Sequence, residues 1–115
     1  MHKKEILVVG LNHRTAPVEV REKVAFDASS LGEALRRLHS YPDIKEGVIL
    51  STCNRVEVVA AASDVETAAR EVKGFLMEQE SVRSHGGLED HFFTYSGDMA
   101  VRHLFRVASS LDSMV

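Results

Sequence analysis

Apolar and polar positions along this chain recur with two periods, and these periods predict its secondary structure. Four short segments are continuous apolar runs or alternate apolar with polar residues, which favours β-strands. They are ILVVGLN, EGVILST, VEVVAAA and HFFTYS. Two longer segments repeat apolar residues every three or four positions, as amphipathic helices do. The first is SSLGEALRRLHSYP, and the second runs from Ser63 to about Glu80.

Local signals refine the helix boundaries. Ser30 with Glu33, and Ser63 with Glu66, have the spacing of a capping box, so we expect each serine to cap a helix. Pro17 can occupy the first turn of a short helix, and a last helix is expected to begin near Gly97.

The predicted order is strand, helix, strand, strand, helix, strand, helix. A βαββαβ order predicts an α+β fold, a ferredoxin-like sandwich in which helices cover one face of an antiparallel sheet. The last helix keeps its apolar pattern up to Val115, with no glycine, proline or basic cap after it. We therefore expect residues 1–115 to be one domain, with this helix leading into a further domain that is absent here.

Composition narrows the possible classes. The net charge of −3 gives no general attraction to nucleic acid, and basic residues do not cluster in the sequence beyond Arg36 and Arg37. No apolar run approaches the ~20 residues of a membrane span, so no membrane association is expected. A single cysteine cannot form an internal disulfide, which fits a reducing, cytoplasmic location. Neither metal-ligand spacing nor a GxGxxG dinucleotide fingerprint is present.

Cys53, the only cysteine, lies between the second and third predicted strands in LSTCNRVEVV. Free cysteines are commonly buried and inert, and that interpretation stays open. A hairpin tip is nevertheless a place that presents a side chain, and Thr52, Asn54 and Arg55 surround the thiol with polar groups. A nearby guanidinium favours the nucleophilic thiolate, so Cys53 is a candidate nucleophile.

His103 lies on the last predicted helix, roughly opposite the stripe that contains Leu104 and Ala108. Arg106 falls on the same side as His103. This placement argues against a core histidine and leaves two alternatives. The polar side is either a solvated surface, or the lining of a cleft in which His103 orients a substrate or transfers a proton.

Three stretches together resemble one known family. GLNHRTAPVEVRE, LSTCNRVEV and RHLFRVASSLDSMV are similar, in order and approximate spacing, to the N-terminal catalytic domain of glutamyl-tRNA reductase. The resemblance covers essentially the whole chain. It departs from the usual family pattern in having Ser110 where glycine is common, and Val56 and Val59 where threonine and tyrosine are common.

The resemblance implies a reaction and a set of roles. The family reduces glutamyl-tRNA(Glu) with NADPH to glutamate-1-semialdehyde through a cysteine thioester, the first step of tetrapyrrole synthesis. Cys53 matches the nucleophile, and His103 matches a histidine important for activity. The residues that match substrate-contacting positions are Thr52, Asn54, Arg55 and Ser113.

The resemblance also implies parts that this chain lacks. The NADPH-binding and dimerisation domains are absent from residues 1–115, so this domain should not complete the reduction alone. The full-length protein is expected to be a homodimer and to have glutamate-1-semialdehyde aminomutase as a partner.

Two other functions remain as alternatives. One is a non-catalytic ferredoxin-like module that binds a ligand or RNA and buries Cys53. The other is a thiol hydrolase, which would need a strong base beside the thiol. The position of the Cys53 sulfur, exposed or packed in the core, best separates the first alternative from an enzyme.

Overall fold

The computed structural model describes residues 3–78 and 87–109. Four strands form one antiparallel sheet, and four α-helices and a short 3-10 helix at Leu88–His91 accompany it in the described part. The strands are β1 (Glu5–Asn12), β2 (Glu46–Ser51), β3 (Arg55–Ala62) and β4 (Phe93–Ser96). The α-helices are α1 (Val18–Val24), α2 (Leu31–His39), α3 (Val65–Met77) and α4 (Asp98–Ala108). Within these ranges, no helix has the length and apolarity needed to cross a membrane.

The strand order in the sheet is β2-β3-β1-β4, and every neighbouring pair is antiparallel. β1 and β2 are therefore parallel to each other, with β3 inserted between them. This is the split βαβ arrangement of a ferredoxin-like sandwich, and the predicted fold class is confirmed.

One face of the sheet holds the main hydrophobic core. Because side chains alternate along a strand, every second residue of β1 and β3 points to this face. Helices α2 and α3 cover it, with Leu38 and Phe75 fully buried. The strand residues of this core are Leu7, Val9, Leu11, Val56, Val58, Ala60 and Ala62.

The opposite face is covered only in part, and the covering element is α4. Gly10 and Glu57 lie opposite each other on this face, and His103 of α4 packs onto them through a bond to Glu57. Towards the other end of the same face, Ile6 is 39% exposed and Val48 is 60% exposed. The prediction of helices on one face thus holds for α2 and α3, and the C-terminal helix lies on the reverse side.

The two predicted capping boxes had different outcomes. Ser30 is the N-cap residue of α2 as expected, but its side chain makes no capping bond and instead donates to the Asp27 carbonyl. The prediction of Ser63 as a cap was wrong. Helix α3 is capped by Asp64, whose carboxylate accepts the backbone N–H and the hydroxyl of Thr67. The Thr67 side-chain bond holds the pKa of Asp64 below its usual value. The spacing from Ser63 to Glu66 was present, but the neighbouring Asp64 takes the capping position of α3.

We predict that Gly10→Ala strongly destabilises the domain. A Cβ atom at Gly10 would lie 2.2 Å from the Val56 carbonyl oxygen and 2.7 Å from the Glu57 Cα atom, and backbone cannot yield as a side chain can. Overpacking of this kind costs about 1–3 kcal/mol or more. Urea unfolding of the 115-residue chain measures the effect.

Gly74→Ala in α3 is the matched control. A Cβ atom there meets nothing within 4 Å, and alanine favours a helix over glycine by about 0.5–1 kcal/mol. We expect Gly74→Ala to be neutral or stabilising. Equal stability of the Gly10→Ala and Gly74→Ala variants would contradict the proposed steric conflict.

Candidate active site

The β2–β3 hairpin turns through four residues, from Thr52 to Arg55. The Thr52 backbone N–H donates to the Arg55 carbonyl at 2.8 Å and closes the turn. The Thr52 hydroxyl oxygen accepts the N–H groups of Asn54, at 3.2 Å, and of Arg55, at 3.3 Å. Thr52 therefore fixes the backbone on both sides of Cys53.

Cys53 lies at the tip of this hairpin and is exposed. Its Sγ atom is 3.7 Å from the Asn54 side-chain oxygen, which is a weak bond. The predicted position at a hairpin tip is confirmed, and the alternative of a cysteine packed in the core is wrong. A histidine bonded to the thiol, which a hydrolase would need, does not occur among the described residues. The reactivity of Cys53 stays a prediction.

Arg21 of α1 fastens the cysteine loop to the rest of the domain. Its side chain is mostly buried, and its Nε donates to the Cys53 carbonyl at 3.2 Å. One terminal nitrogen of the same guanidinium donates to the Ala16 carbonyl at 2.7 Å. The β1–α1 loop and the β2–β3 hairpin are thus held together at one end of the sheet. Arg21 was not among the site residues predicted from the sequence, because this contact joins segments 32 residues apart.

A buried charge cluster lies beneath the hairpin, on the sheet face that α4 covers. Glu57 is 0% exposed, and its two carboxylate oxygens have different partners. Oε2 accepts a bond from the Arg55 guanidinium at 2.5 Å, and Oε1 is 2.6 Å from His103 Nε2. Arg55 and His103 are themselves 5% and 7% exposed. One carboxylate therefore positions both residues.

Glu57 was not predicted as a site residue, although the sequence contains an indication of its role. A charged residue in the middle of the otherwise apolar strand VEVVAAA is costly to bury unless it is paired. The cross-strand neighbour of Glu57 is Gly10, and the backbone of Val56 and Glu57 leaves no room for a Cβ atom at that position. Arg55, expected beside the thiol, is bonded to Glu57, so an effect of Arg55 on the thiolate stays a prediction.

Helix α4 contacts the sheet through the side that bears His103. This side is therefore not the solvated polar surface that was one of the two alternatives. His103 is buried, and its ring lies about 5.1 Å from the ring centroids of Phe93 and Tyr95. The apolar residues Val101 and Phe105 point outward, at 38% and 69% exposure. The expectation that His103 is not a core residue was wrong, because its bond to Glu57 holds this side of the helix against the sheet.

An open cavity of about 270 Å³ adjoins this cluster. His103 and Arg106 both line it, which agrees with the alternative that this side of the helix borders a cleft. Cys53 is not among the residues that line it. The lining consists of Asn12, Arg14, Thr15, Tyr95, Met99, Arg102, His103 and Arg106. Three arginines from two distant segments line this cavity, although basic residues do not cluster in the sequence beyond Arg36 and Arg37.

The structure thus brings five of the six predicted site residues to one end of the sheet or to the face beneath it. Thr52, Cys53 and Asn54 form the hairpin tip, and Arg55 connects it through Glu57 to His103. The sixth, Ser113, lies outside the described residues, as does Ser110. Within residues 3–78 and 87–109, no group of histidine, cysteine or carboxylate side chains is arranged to hold a metal ion.

The geometry defines a ferredoxin-like domain with an exposed candidate thiol nucleophile above a buried Arg–Glu–His cluster. Residues 9–115 match the family model described as the glutamyl-tRNA(Glu) reductase N-terminal domain. The chain belongs to this family.

Comparison with individual proteins supports the same family. Over 110 residues the chain is 51% identical to the glutamyl-tRNA reductase of Pelobacter propionicus and 52% identical to that of Geotalea uraniireducens. Each match covers 96% of this chain and 25% of the relative. The solved glutamyl-tRNA reductase of Methanopyrus kandleri superposes with a TM-score of 0.70 at 34% identity, over 95% of this chain and 23% of that one. This chain therefore spans about a quarter of the length of these relatives.

We predict that Glu57→Ala lowers the stability of the domain by about 3–5 kcal/mol, because it leaves the buried Arg55 guanidinium without its carboxylate. Glu57→Gln keeps the shape and one acceptor and should lose less. Thermal unfolding of each variant measures this difference.

Glu46→Ala is the control, since Glu46 is an exposed residue of the neighbouring strand. Exposed substitutions usually stay within about 0.5 kcal/mol. If Glu57→Ala unfolds at the same temperature as Glu46→Ala, the buried cluster does not stabilise the fold.

Proposed function

We propose that this chain is the domain of a glutamyl-tRNA reductase that takes the glutamyl group from glutamyl-tRNA(Glu) onto Cys53. The observation that supports the proposal most directly is the exposed thiol at the hairpin tip, in a chain that belongs to this family. The alternative of a non-catalytic module rested on a buried cysteine, and the exposure of Cys53 removes that basis.

The acyl transfer can be written with every bond accounted for. The Cys53 thiolate attacks the carbonyl carbon of the ester, and a C–S bond forms. The bond from that carbon to the ribose oxygen breaks, and the ribose oxygen takes a proton from solvent as the tRNA leaves with a free terminal hydroxyl. A thioester is a better hydride acceptor than the parent acid, so this step prepares the glutamyl group for reduction to glutamate-1-semialdehyde.

The reduction requires NADPH, which supplies a hydride. This chain has no glycine-rich dinucleotide fingerprint, so its own residues do not fit the cofactor, and we assign NADPH to a domain outside it. The role of this chain ends with the acyl group on Cys53. We also propose that the full-length protein is a homodimer, that it works in the cytoplasm, and that glutamate-1-semialdehyde aminomutase receives the aldehyde.

Of the other site residues, some would contact the substrate and one positions its neighbours. Thr52 and Asn54 flank the sulfur and are within reach of an ester bound there. Arg55 is a planar cation that suits the glutamyl carboxylate, and Ser113 is assigned to the same pocket by resemblance alone. Glu57 does not reach the thiol in this arrangement. It orients Arg55 and His103, and is a positioning residue.

We predict that Cys53 is acylated by glutamyl-tRNA and that no aldehyde follows. Incubation of the 115-residue chain with charged tRNA and NADPH should release tRNA and add the mass of one glutamyl group to the chain. Glutamate-1-semialdehyde should not be produced, because the hydride donor has no site.

Cys53→Ser should show no stable glutamyl adduct under the same conditions. Its thermal unfolding should match that of the wild-type chain, because Cys53 is exposed and makes one weak side-chain bond. Acylation that persists in Cys53→Ser would place the nucleophile elsewhere. Semialdehyde from the fragment alone would show that the cofactor assignment is wrong.

We predict that His103→Ala in the full-length enzyme lowers turnover by about 10²–10⁴, the usual contribution of a positioned acid–base group. Cys53 should still react with a small alkylating reagent, because the hairpin is held by Arg21 and not by His103. The measurements are turnover with saturating glutamyl-tRNA and the alkylation rate of Cys53. Normal turnover in His103→Ala would reject a catalytic role for this histidine.

A further inference from the structure

The acyl transfer described above gives no role to the arginines of the cavity beside His103. Its cations are Arg14 from the β1–α1 loop, and Arg102 and Arg106 from α4. All three are exposed, and among residues 3–78 and 87–109 no aspartate or glutamate lines the cavity. Among the described residues, neither Arg102 nor Arg106 has an ion-pair partner. A protein of net charge −3 thus presents a locally cationic opening.

Other cavity residues limit what these cations can bind. Asn12 has its side-chain oxygen engaged by the backbone N–H groups of Arg14 and Thr15, which fixes the loop that carries Arg14. Tyr95 and Met99 contribute an apolar wall, and Met99 is 56% exposed. Guanidinium groups beside such a wall suit a phosphate attached to a ribose and base, because arginine forks match phosphate oxygens and unstacked bases pack on flat or apolar side chains.

The cavity also lies at a suitable place relative to the thiol. Asn12 pairs with Arg55 across β1 and β3, and Arg21 ties the loop after β1 to the Cys53 carbonyl. The cavity and the hairpin tip therefore share one end of the sheet. A substrate whose ester lies at Cys53 has its ribose and nearest phosphates within a few ångströms of that ester.

We propose that the cavity bordered by Arg14, Arg102 and Arg106 binds phosphate groups of the tRNA acceptor strand next to the glutamyl ester. The inference rests on the proposed function and adds to it the subsite for the leaving group. The site recognises phosphate, which NADPH also carries, and the acceptor strand is favoured because this chain has no dinucleotide fingerprint and because the cavity adjoins the thiol end of the sheet.

The test is tRNA binding by the full-length protein over a range of salt concentrations, with fluorescently labelled tRNA(Glu), both charged and uncharged. The variant Arg102→Gln/Arg106→Gln is compared with Arg36→Gln/Arg37→Gln, an equal loss of charge on α2, which covers the other face of the sheet. Each phosphate contact removed should reduce the slope of log K against log salt by about 0.7, the value for single strands. Thermal unfolding verifies that both variants are folded.

The proposal expects a weaker affinity and a shallower slope for Arg102→Gln/Arg106→Gln, equally for charged and uncharged tRNA, with the α2 variant close to wild type. Equal slopes for all proteins would overturn it. So would a loss confined to charged tRNA, which would make the cavity the glutamyl pocket, or a higher KM for NADPH with unchanged tRNA binding. If wild-type protein does not bind tRNA at all, the proposed function itself fails, and the phosphate subsite fails with it.

Discussion

The buried carboxylate of Glu57 is the interaction on which the rest of the candidate site depends. A charge with no exposed surface must be paired, and Glu57 has Arg55 on one oxygen and His103 on the other. The bond to Arg55 orients the side chain that follows the cysteine loop. The bond to His103 holds α4 against the sheet. A single residue therefore joins the hairpin, the sheet and the last helix of the described chain.

This dependence also explains why α4 lies on the sheet with its histidine side and not with its most apolar side. Turning Phe105 towards the sheet would remove the imidazole from one oxygen of the buried Glu57 carboxylate and leave it with Arg55 alone. In the observed arrangement both oxygens are paired, and Phe105 is 69% exposed.

Periodicity in the sequence was enough to predict the strands, their order and the fold class, because alternation along β1 and β3 is strongly apolar. The hairpin tip at Cys53 followed from the spacing of two strands. The cap of α3 was predicted one residue too early, because the carboxylate of Asp64 takes the position expected for Ser63. The direction of His103 depends on a contact with Glu57, which lies 46 residues earlier in the chain. The meeting of Arg14 with Arg102 and Arg106 joins segments about 90 residues apart. Single-sequence patterns do not contain such contacts.

The bonds of Thr52 have a consequence for the tetrahedral intermediate of acyl transfer. Acyl-transfer enzymes commonly stabilise its oxyanion with backbone N–H groups near the nucleophile. Here the amides of Asn54 and Arg55 are already donated to the Thr52 hydroxyl oxygen. That hydroxyl keeps its own hydrogen, and two accepted bonds polarise it into a stronger donor. A negative charge that develops beside Cys53 could therefore use these two amides only if their bonds to Thr52 were broken.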